Sequence, residues 1–487
     1  MAGFRYFAAI FLLMTIGDAS SADSERSVSS QSKARIDGKT LTYGVEAGRL
    51  PIRDMESGEL RGSMFYVAYR VESPKDKLRP VMFSWGGGPS GPAIGVHMWY
   101  GPKQASEDGR IVDNPNSLLL AADLVFVDPI GTGFSRAAKS EYLAEFYSTI
   151  GDARSVAEFI RVWCALNDVA DAPIFLNGQS YGVWRASIVA EMLEIARRRV
   201  TGVVLTSGGM GLAGEFTDPA SGIAYRVPDF AATALFHGSL PADLGTDPDT
   251  VRNRAVSWAR DTYAPALGRI DQLSADQREN TAEELARFTG YPLADIDRQT
   301  LQFSLPEYRR RFPGEADRIL NLFDMRTIRG ETVAVSNNAR AGAQARYLRS
   351  EVGYRTDLAY IGLESGYTPT IAPDYQSIGQ RWKYNSGIGE AGRAAAAAAG
   401  QGPPGKEPWI RRAIDINPDL RVFVAAGLYD SLNFCSENED RVRRMPDTLA
   451  DNFVLRCYPS GHGIYGDALT YPLLTRDIQT FIIDIAY

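Results

Sequence analysis

The sequence predicts an α/β protein, with a mostly parallel central sheet covered by helices and opened by an antiparallel pair of strands. Three observations carry this reading. Short runs apolar at nearly every position recur along the chain: Val81–Trp85, Leu124–Asp128, Ile174–Asn177, Val203–Thr206, Val422–Ala426 and Phe453–Tyr458. Runs without a polar face suit strands buried on both sides by helices. Amphipathic helices lie between several of them, including Asp152–Asn167 and Val183–Arg198, and strand–helix alternation is the mark of an α/β sheet. Finally, 45% hydrophobic and 10% aromatic residues in a chain of 487 exclude a disordered or collagen-like protein.

Taken in order, the chain opens on a stretch that reads as a secretory leader over 1–22. Arg5 supplies a positive start, Tyr6 to Ile16 an apolar run, and Ser20-Ser21-Ala22 small residues for a cut after Ala22. The apolar run is too short for a resting membrane span, so no stable membrane insertion is expected after cleavage, and a periplasmic or secreted location follows. Alternating runs at Lys39–Val45 and Met64–Val71 read as the antiparallel pair. The strand–helix alternation continues to about 210 and then breaks. Residues 211–417 are helical and loop-rich: Ser274-Ala275-Asp276-Gln277 reads as a capping box and Gly290 as the stop of that helix. Ala394–Ala399 with Gln401–Pro408 is a low-complexity seam, read as a surface loop. The expected organisation is therefore a leader at 1–22, a core in two parts at 23–210 and 418–487, and a helical insertion or lid at 211–417. The last core helix is Pro472–Ala486, with Leu474, Ile478, Phe481, Ile482 and Ile485 on one stripe.

Charge and rare residues narrow the chemistry. The chain has 52 Lys and Arg against 59 Asp and Glu, a net of -7, with no basic block to track phosphates, so nucleic acid is not an expected partner. Three cysteines and three histidines leave little for a metal site, and neither metal nor cofactor is expected. Cys164 falls on the apolar face of its helix and reads as a core thiol. Cys435 and Cys457 are more readily left free than paired, with a bridge still open.

Gly178-Gln179-Ser180-Tyr181-Gly182 is a G-x-S-x-G pattern, weak alone but set between the strand Ile174–Leu176 and an amphipathic helix. That is the strand–turn–helix setting of a nucleophile elbow, where glycines permit a tight, strained turn. A nucleophilic serine needs a base, and His462 stands in a turn directly after the run Phe453–Tyr458. The orienting acid is expected after the penultimate strand, where Asp430 follows Val422–Gly427. The order Ser180, Asp430, His462 is that of the α/β-hydrolases, with each residue at the carboxyl edge of the sheet. Asp430 would hold the imidazole tautomer, His462 would take the serine proton, and Ser180 would attack a carbonyl. The oxyanion hole would combine the Tyr181 amide with one from Gly86-Gly87-Gly88-Pro89, each donor being worth about 3–4 kcal/mol of barrier. His97, close to that loop, reads as a hydrogen-bonded scaffold residue and His237 as an ordinary residue of the insertion. Arg381–Asn385 with nearby Tyr367 would line the acyl or leaving-group side or else pack a small core of the insertion.

With these motifs in hand the sequence resembles the serine carboxypeptidases, particularly their bacterial secreted branch. The resemblance rests on Gly86–Pro89, the long run Asp123–Ser135, Gly178–Gly182, Gly427–Asp430 and Gly461-His462. It implies an α/β-hydrolase fold with a helical insertion over the site, catalytic roles for Ser180, Asp430 and His462, and an oxyanion amide at Gly88 beside Tyr181. It also implies that Asp128 and Gly131–Ser135 are scaffold. Two positions depart from the family, which usually has Asn where Gly86 stands and Glu where Gln179 stands; there those side chains help hold the terminal carboxylate of the substrate. Gly86, Gly87 and Gln179 are the expected substrate-binding positions. A neutral Gln179 could still bind a carboxylate, without an acid optimum.

The leading expectation is thus a serine hydrolase working through an acyl-enzyme, a carboxypeptidase acting on peptides. An esterase or amidase on a small non-peptide acyl substrate is the alternative. A catalytically silent binding protein on the same fold is the third.

Overall fold

The computed structural model describes residues 27–74, 78–312, 318–330, 334–362, 378–385 and 407–487. The leader, Ala394–Ala399, Tyr367 and most of the Gly-Pro-rich seam lie outside the described residues. The described residues hold twelve strands: β1 (Val28–Ile36), β2 (Lys39–Arg53), β3 (Leu60–Arg70), β4 (Val81–Trp85), β5 (Lys103–Ala105), β6 (Ile111–Asp113), β7 (Asp123–Val127), β8 (Arg136–Ala137), β9 (Ile174–Gln179), β10 (Gly202–Thr206), β11 (Arg421–Gly427) and β12 (Phe453–Tyr458). Ten of them form one sheet in the order β1-β2-β3-β7-β4-β9-β10-β11-β12, with β8 beside β3, while β5 and β6 make a separate ribbon.

The first three strands and the β3–β7 contact are antiparallel. From β7 through β4, β9, β10, β11 and β12 every pairing is parallel. Parallel strands bury both faces, and each apolar run named above supplies both. In β4, Val81, Phe83 and Trp85 enter one apolar layer and Met82 the other, as the two-residue period of a strand requires. Helices Thr149–Leu166, Gly182–Ile195 and Trp409–Ile416 cover the first face. The second is covered by Ile94–Tyr100 and Tyr471–Ala486, whose Leu474, Ile478, Phe481 and Ile482 are buried.

The opening strand β1 was not foreseen. Its sequence is mostly polar and its outer edge is exposed, so it lacks the apolar signal of the inner strands. The Asp37-Gly38 turn into β2, with both residues at positive φ, is the tight hairpin that defines it.

Residues 219–312 and 318–330 of the insertion build an apolar cluster around Phe230, Val251, Leu285 and Tyr308, which Phe434 of the core joins. Ser274 caps the helix Ala275–Thr289 reciprocally with Gln277, and Gly290 ends it in the left-handed region. The flanks of the insertion behave differently: Tyr347, Leu348 and Tyr354 join the sheet's second layer, and Trp409, Ile410 and Ile414 join its first. Cys435 and Cys457 are bridged, tying the helix Cys435–Arg443 to β12, whereas Cys164 is a buried free thiol. No described helix is long and apolar enough to cross a membrane, and no metal-ligating cluster occurs among the described residues.

Candidate active site

Ser180 sits at the tip of the turn between β9 and the helix Gly182–Ile195, with φ of 55°. A non-glycine residue in this region is strained and must be held by its surroundings. The Ser180 amide donates to Thr206 O on the neighbouring strand at 2.9 Å, and the Trp85 indole N–H donates to Gly182 O at 3.0 Å. Gly178 and Gly182 are obligatory: a Cβ at Gly178 would run into Gly182 O, and one at Gly182 would lie 2.7 Å from Gly86 O.

His462 and Asp430 come together on loops after β12 and β11. His462 Nδ1 lies 2.7 Å from Asp430 Oδ2, and the other Asp430 oxygen accepts from Leu432 N at 2.9 Å. Asp430 is fully buried, and burial pushes its carboxyl above its ordinary value against the opposing pull of His462. An acceptor fixed on Nδ1 leaves Nε2 as the free nitrogen of the ring. Ser180, Tyr181, Gly88 and His462 all line one cavity of about 700 Å³.

The glycine loop after β4 presses against Ser180. A Cβ at Gly87 would sit 2.7 Å from Ser180 Cβ and 3.2 Å from Tyr181 N, so any side chain there would cover both the hydroxyl and the candidate oxyanion amide. Gly88 has φ of 116° and precedes a cis proline. What holds this loop is Arg185, an entirely buried residue of the helix behind Ser180. Its guanidinium pairs with Asp152 Oδ2 at 2.7 Å and donates to Gly86 O at 3.0 Å and Pro89 O at 3.3 Å. Burial carries the Asp152 carboxyl up to about 6, with Arg185 pulling it back. Neither residue was singled out from the sequence. The available signal was a charge on the apolar face of each of two helices, which demands a partner.

The expected scaffold stands where the motif suggested. Asp128 accepts from Ala93 N at 2.8 Å and from the Tyr360 hydroxyl at 3.0 Å, and Ser135 Oγ donates to Asp128 O at 2.6 Å. A Cβ at Gly133 would overlap the Asp128 carboxylate. His97 is buried, contacts the Tyr69 hydroxyl through Nε2 at 2.6 Å and stacks on Phe126; burial lowers it to about 3. His237 contacts Met325 O inside the insertion.

The three positions expected to bind substrate are placed differently. Gly87 lies against Ser180 and Tyr181, whereas Gly86 and Gln179 do not line the cavity. Gln179 donates its amide to the Tyr465 hydroxyl, and a Cβ at Gly86 would lie 2.8 Å from Pro92 O, so that position leaves no room for a side chain. Of the aromatic segment Arg381–Asn385, Tyr384 lines the cavity, while Trp382 packs edge-on against Tyr181.

A hairpin of the insertion, residues 318–330, closes around the acid and base loops. Phe323 O accepts from His462 N at 2.6 Å, and its ring lies 5.3 Å from the imidazole. Met325 N donates to Tyr429 O at 2.9 Å, and Ser431 Oγ donates to Leu322 O at 2.6 Å. Arg326 pairs with Asp324 and Asp467 and donates to Pro459 O.

The strand order, the antiparallel opening and the loops after β9, β11 and β12 define an α/β-hydrolase fold. Comparison with known proteins sharpens the class. Residues 51–282 match the family model described as serine carboxypeptidase. The pheromone-processing carboxypeptidase kex1 of Pyrenophora tritici-repentis is 30% identical over 139 residues, covering 27% of this chain and 21% of the relative. The corresponding enzyme of Tuber melanosporum is 23% identical over 180 residues, covering 35% and 28%. The chain thus spans 21% to 28% of these relatives' length, and they are fungal. Among solved structures, the prohormone-processing carboxypeptidase Kex1 of Saccharomyces cerevisiae is 14% identical, with 91% of each chain covered and a TM-score of 0.48.

Proposed function

We propose that the protein is a serine-type carboxypeptidase working through an acyl-enzyme. In this reading Ser180 attacks the scissile carbonyl, His462 takes its proton and returns it to the leaving amine, and Asp430 holds the imidazole. The amides of Gly88 and Tyr181 receive the developing oxyanion. The observation that carries the reading is the 2.7 Å contact from His462 Nδ1 to a fully buried Asp430, on a cavity that Ser180 also lines. The family match over residues 51–282 supports peptides as the substrate class.

One observation favours the second reading, an esterase or amidase. Gly86 offers no side chain and the Gln179 amide is engaged by Tyr465, so the positions that hold a terminal carboxylate in the family are not aimed into the cavity. Hydrolysis of a blocked dipeptide, its C-terminal amide and its aryl ester separates the two. Preference for the free acid supports the carboxypeptidase, whereas equal turnover of acid and amide overturns it. Ser180→Ala should lose at least about three decades of turnover in every case.

A secreted or periplasmic location belongs to the same proposal. It is supported by the leader-like residues 1–22 and by the Cys435–Cys457 bridge, which favours an oxidising compartment. Placement in a bacterial branch rests on the sequence motifs alone, the matching relatives being fungal.

A further inference from the structure

The catalytic cavity has two unlike walls. One is aromatic, with Tyr181, Trp184, Tyr384 and Trp409; the other carries Arg226, Arg441 and Glu437. Arg226 immediately precedes the insertion helix Val227–Phe236, and Arg441 and Glu437 share the helix Cys435–Arg443 that follows the acid loop. Glu437 lies between the guanidiniums, with Oε2 3.5 Å from Arg226 Nε and Oε1 3.8 Å from Arg441 Nη2. Both separations exceed a good charge-assisted hydrogen bond, which is about 2.7–2.9 Å. One carboxylate shared by two guanidiniums leaves this wall with a net positive charge. Nε of each arginine is buried without a hydrogen-bond partner, and burial pulls the Arg441 guanidinium below its ordinary range. Among the described residues the other acid on the cavity is Glu407, paired with Arg412 at 2.8 Å. Beside the arginines, Asn438 Nδ2 donates to the side-chain oxygen of Asn433 at 2.9 Å, and the buried amide nitrogen of Asn433 is left without a partner. An under-paired guanidinium and an unsatisfied amide donor on one wall ask for an acceptor that the protein does not supply.

We propose that Arg226 and Arg441 form a carboxylate-binding subsite inside the catalytic cavity, selecting substrates that carry an anionic group close to the scissile bond. The proposal rests on the hydrolase reading above and names its substrate class. The carboxylate can be the terminal one or that of an acidic side chain, and matched pairs distinguish the sources: blocked Glu-Leu against Gln-Leu, blocked Leu-Glu against Leu-Gln, and blocked Leu-Leu against its amide. Glu437 acts as the internal competitor for the same guanidiniums.

The test measures kcat/KM for each pair. At least one pair should favour the carboxylate member by about tenfold or more, a factor expected for a charge-assisted hydrogen bond in a sheltered site. Arg441→Gln should draw that ratio toward one, and Arg226→Gln, at a half-exposed position, repeats the measurement should the first variant not fold. Glu437→Gln should widen the ratio, an effect that a merely structural ion pair would not produce. Calorimetric titration of Ser180→Ala with the same pairs reads the discrimination without turnover. Selective binding without hydrolysis by the parent would overturn the hydrolase reading and keep the subsite. Ratios near one in all three pairs, or a preference untouched by both arginine variants, would overturn the subsite.

Discussion

The two halves of the site are built by different physics. Around Ser180 the chain belongs to the sheet: the elbow is fixed by strand pairing, by glycines with no room for a side chain, and by the buried Arg185–Asp152 pair. Around His462 and Asp430 the chain is held by the insertion, through the hairpin 318–330, and by the Cys435–Cys457 bridge. The placement of Ser180 therefore depends on the core, whereas that of Asp430 and His462 depends on how the insertion is seated.

The contrast can be broken from its strongest side first. Arg185→Ala leaves Asp152 as an unpaired buried charge and frees the carbonyls of Gly86 and Pro89. It should cost about 3–5 kcal/mol of stability, read by urea unfolding, with loss of turnover in whatever folds. Reducing the Cys435–Cys457 bridge releases a loop of sequence separation 22, which should cost about 3 kcal/mol. Thermal unfolding with and without reductant measures it, and activity should fall before the sheet melts because the freed segment runs from the acid to the base.

A pH effect should appear where insertion meets core. Asp229, on the helix Val227–Phe236, accepts from Ser436 Oγ at 2.6 Å beside the bridge, and burial lifts its carboxyl to about 7. Its folded value lies above the unfolded one, so between about pH 4 and pH 7 the folded state holds the extra proton. Stability should then decline as pH rises through that window, by up to about 1.4 kcal/mol per pH unit. Asp229→Asn should flatten the slope of unfolding free energy against pH. The smallest effect is expected farthest from the sheet: Ser274→Ala removes a capping box of the insertion and should cost about 1 kcal/mol, with kcat/KM within about twofold of the parent, since surface-level changes away from a site act weakly.

The same division explains what could be read from sequence. Inner strands announce themselves because both faces must be apolar, and Ser180 and Asp430 are found after two of them, whereas His462 follows β12, an edge strand whose run is only partly buried. Strand β1 escaped notice because an edge strand needs no apolar run. Arg185 was hidden because a buried ion pair joins helices 33 residues apart in sequence, and no local pattern names its partner. The hairpin 318–330 is invisible for a related reason: the hydrogen bonds it makes to Tyr429, Ser431 and His462 use its own backbone groups, Met325 N, Leu322 O and Phe323 O, which carry no residue signature. Gln179 shows the converse, a residue at a motif position whose amide the fold turns to Tyr465.

The most direct test of the central claim is chemical. Treatment of the full chain with a fluorophosphonate, followed by peptide mapping, should place one adduct on Ser180 and abolish hydrolysis in step. His462→Ala should slow the labelling by about three decades. An unlabelled Ser180 in folded protein, or labelling undiminished by His462→Ala, would contradict the account.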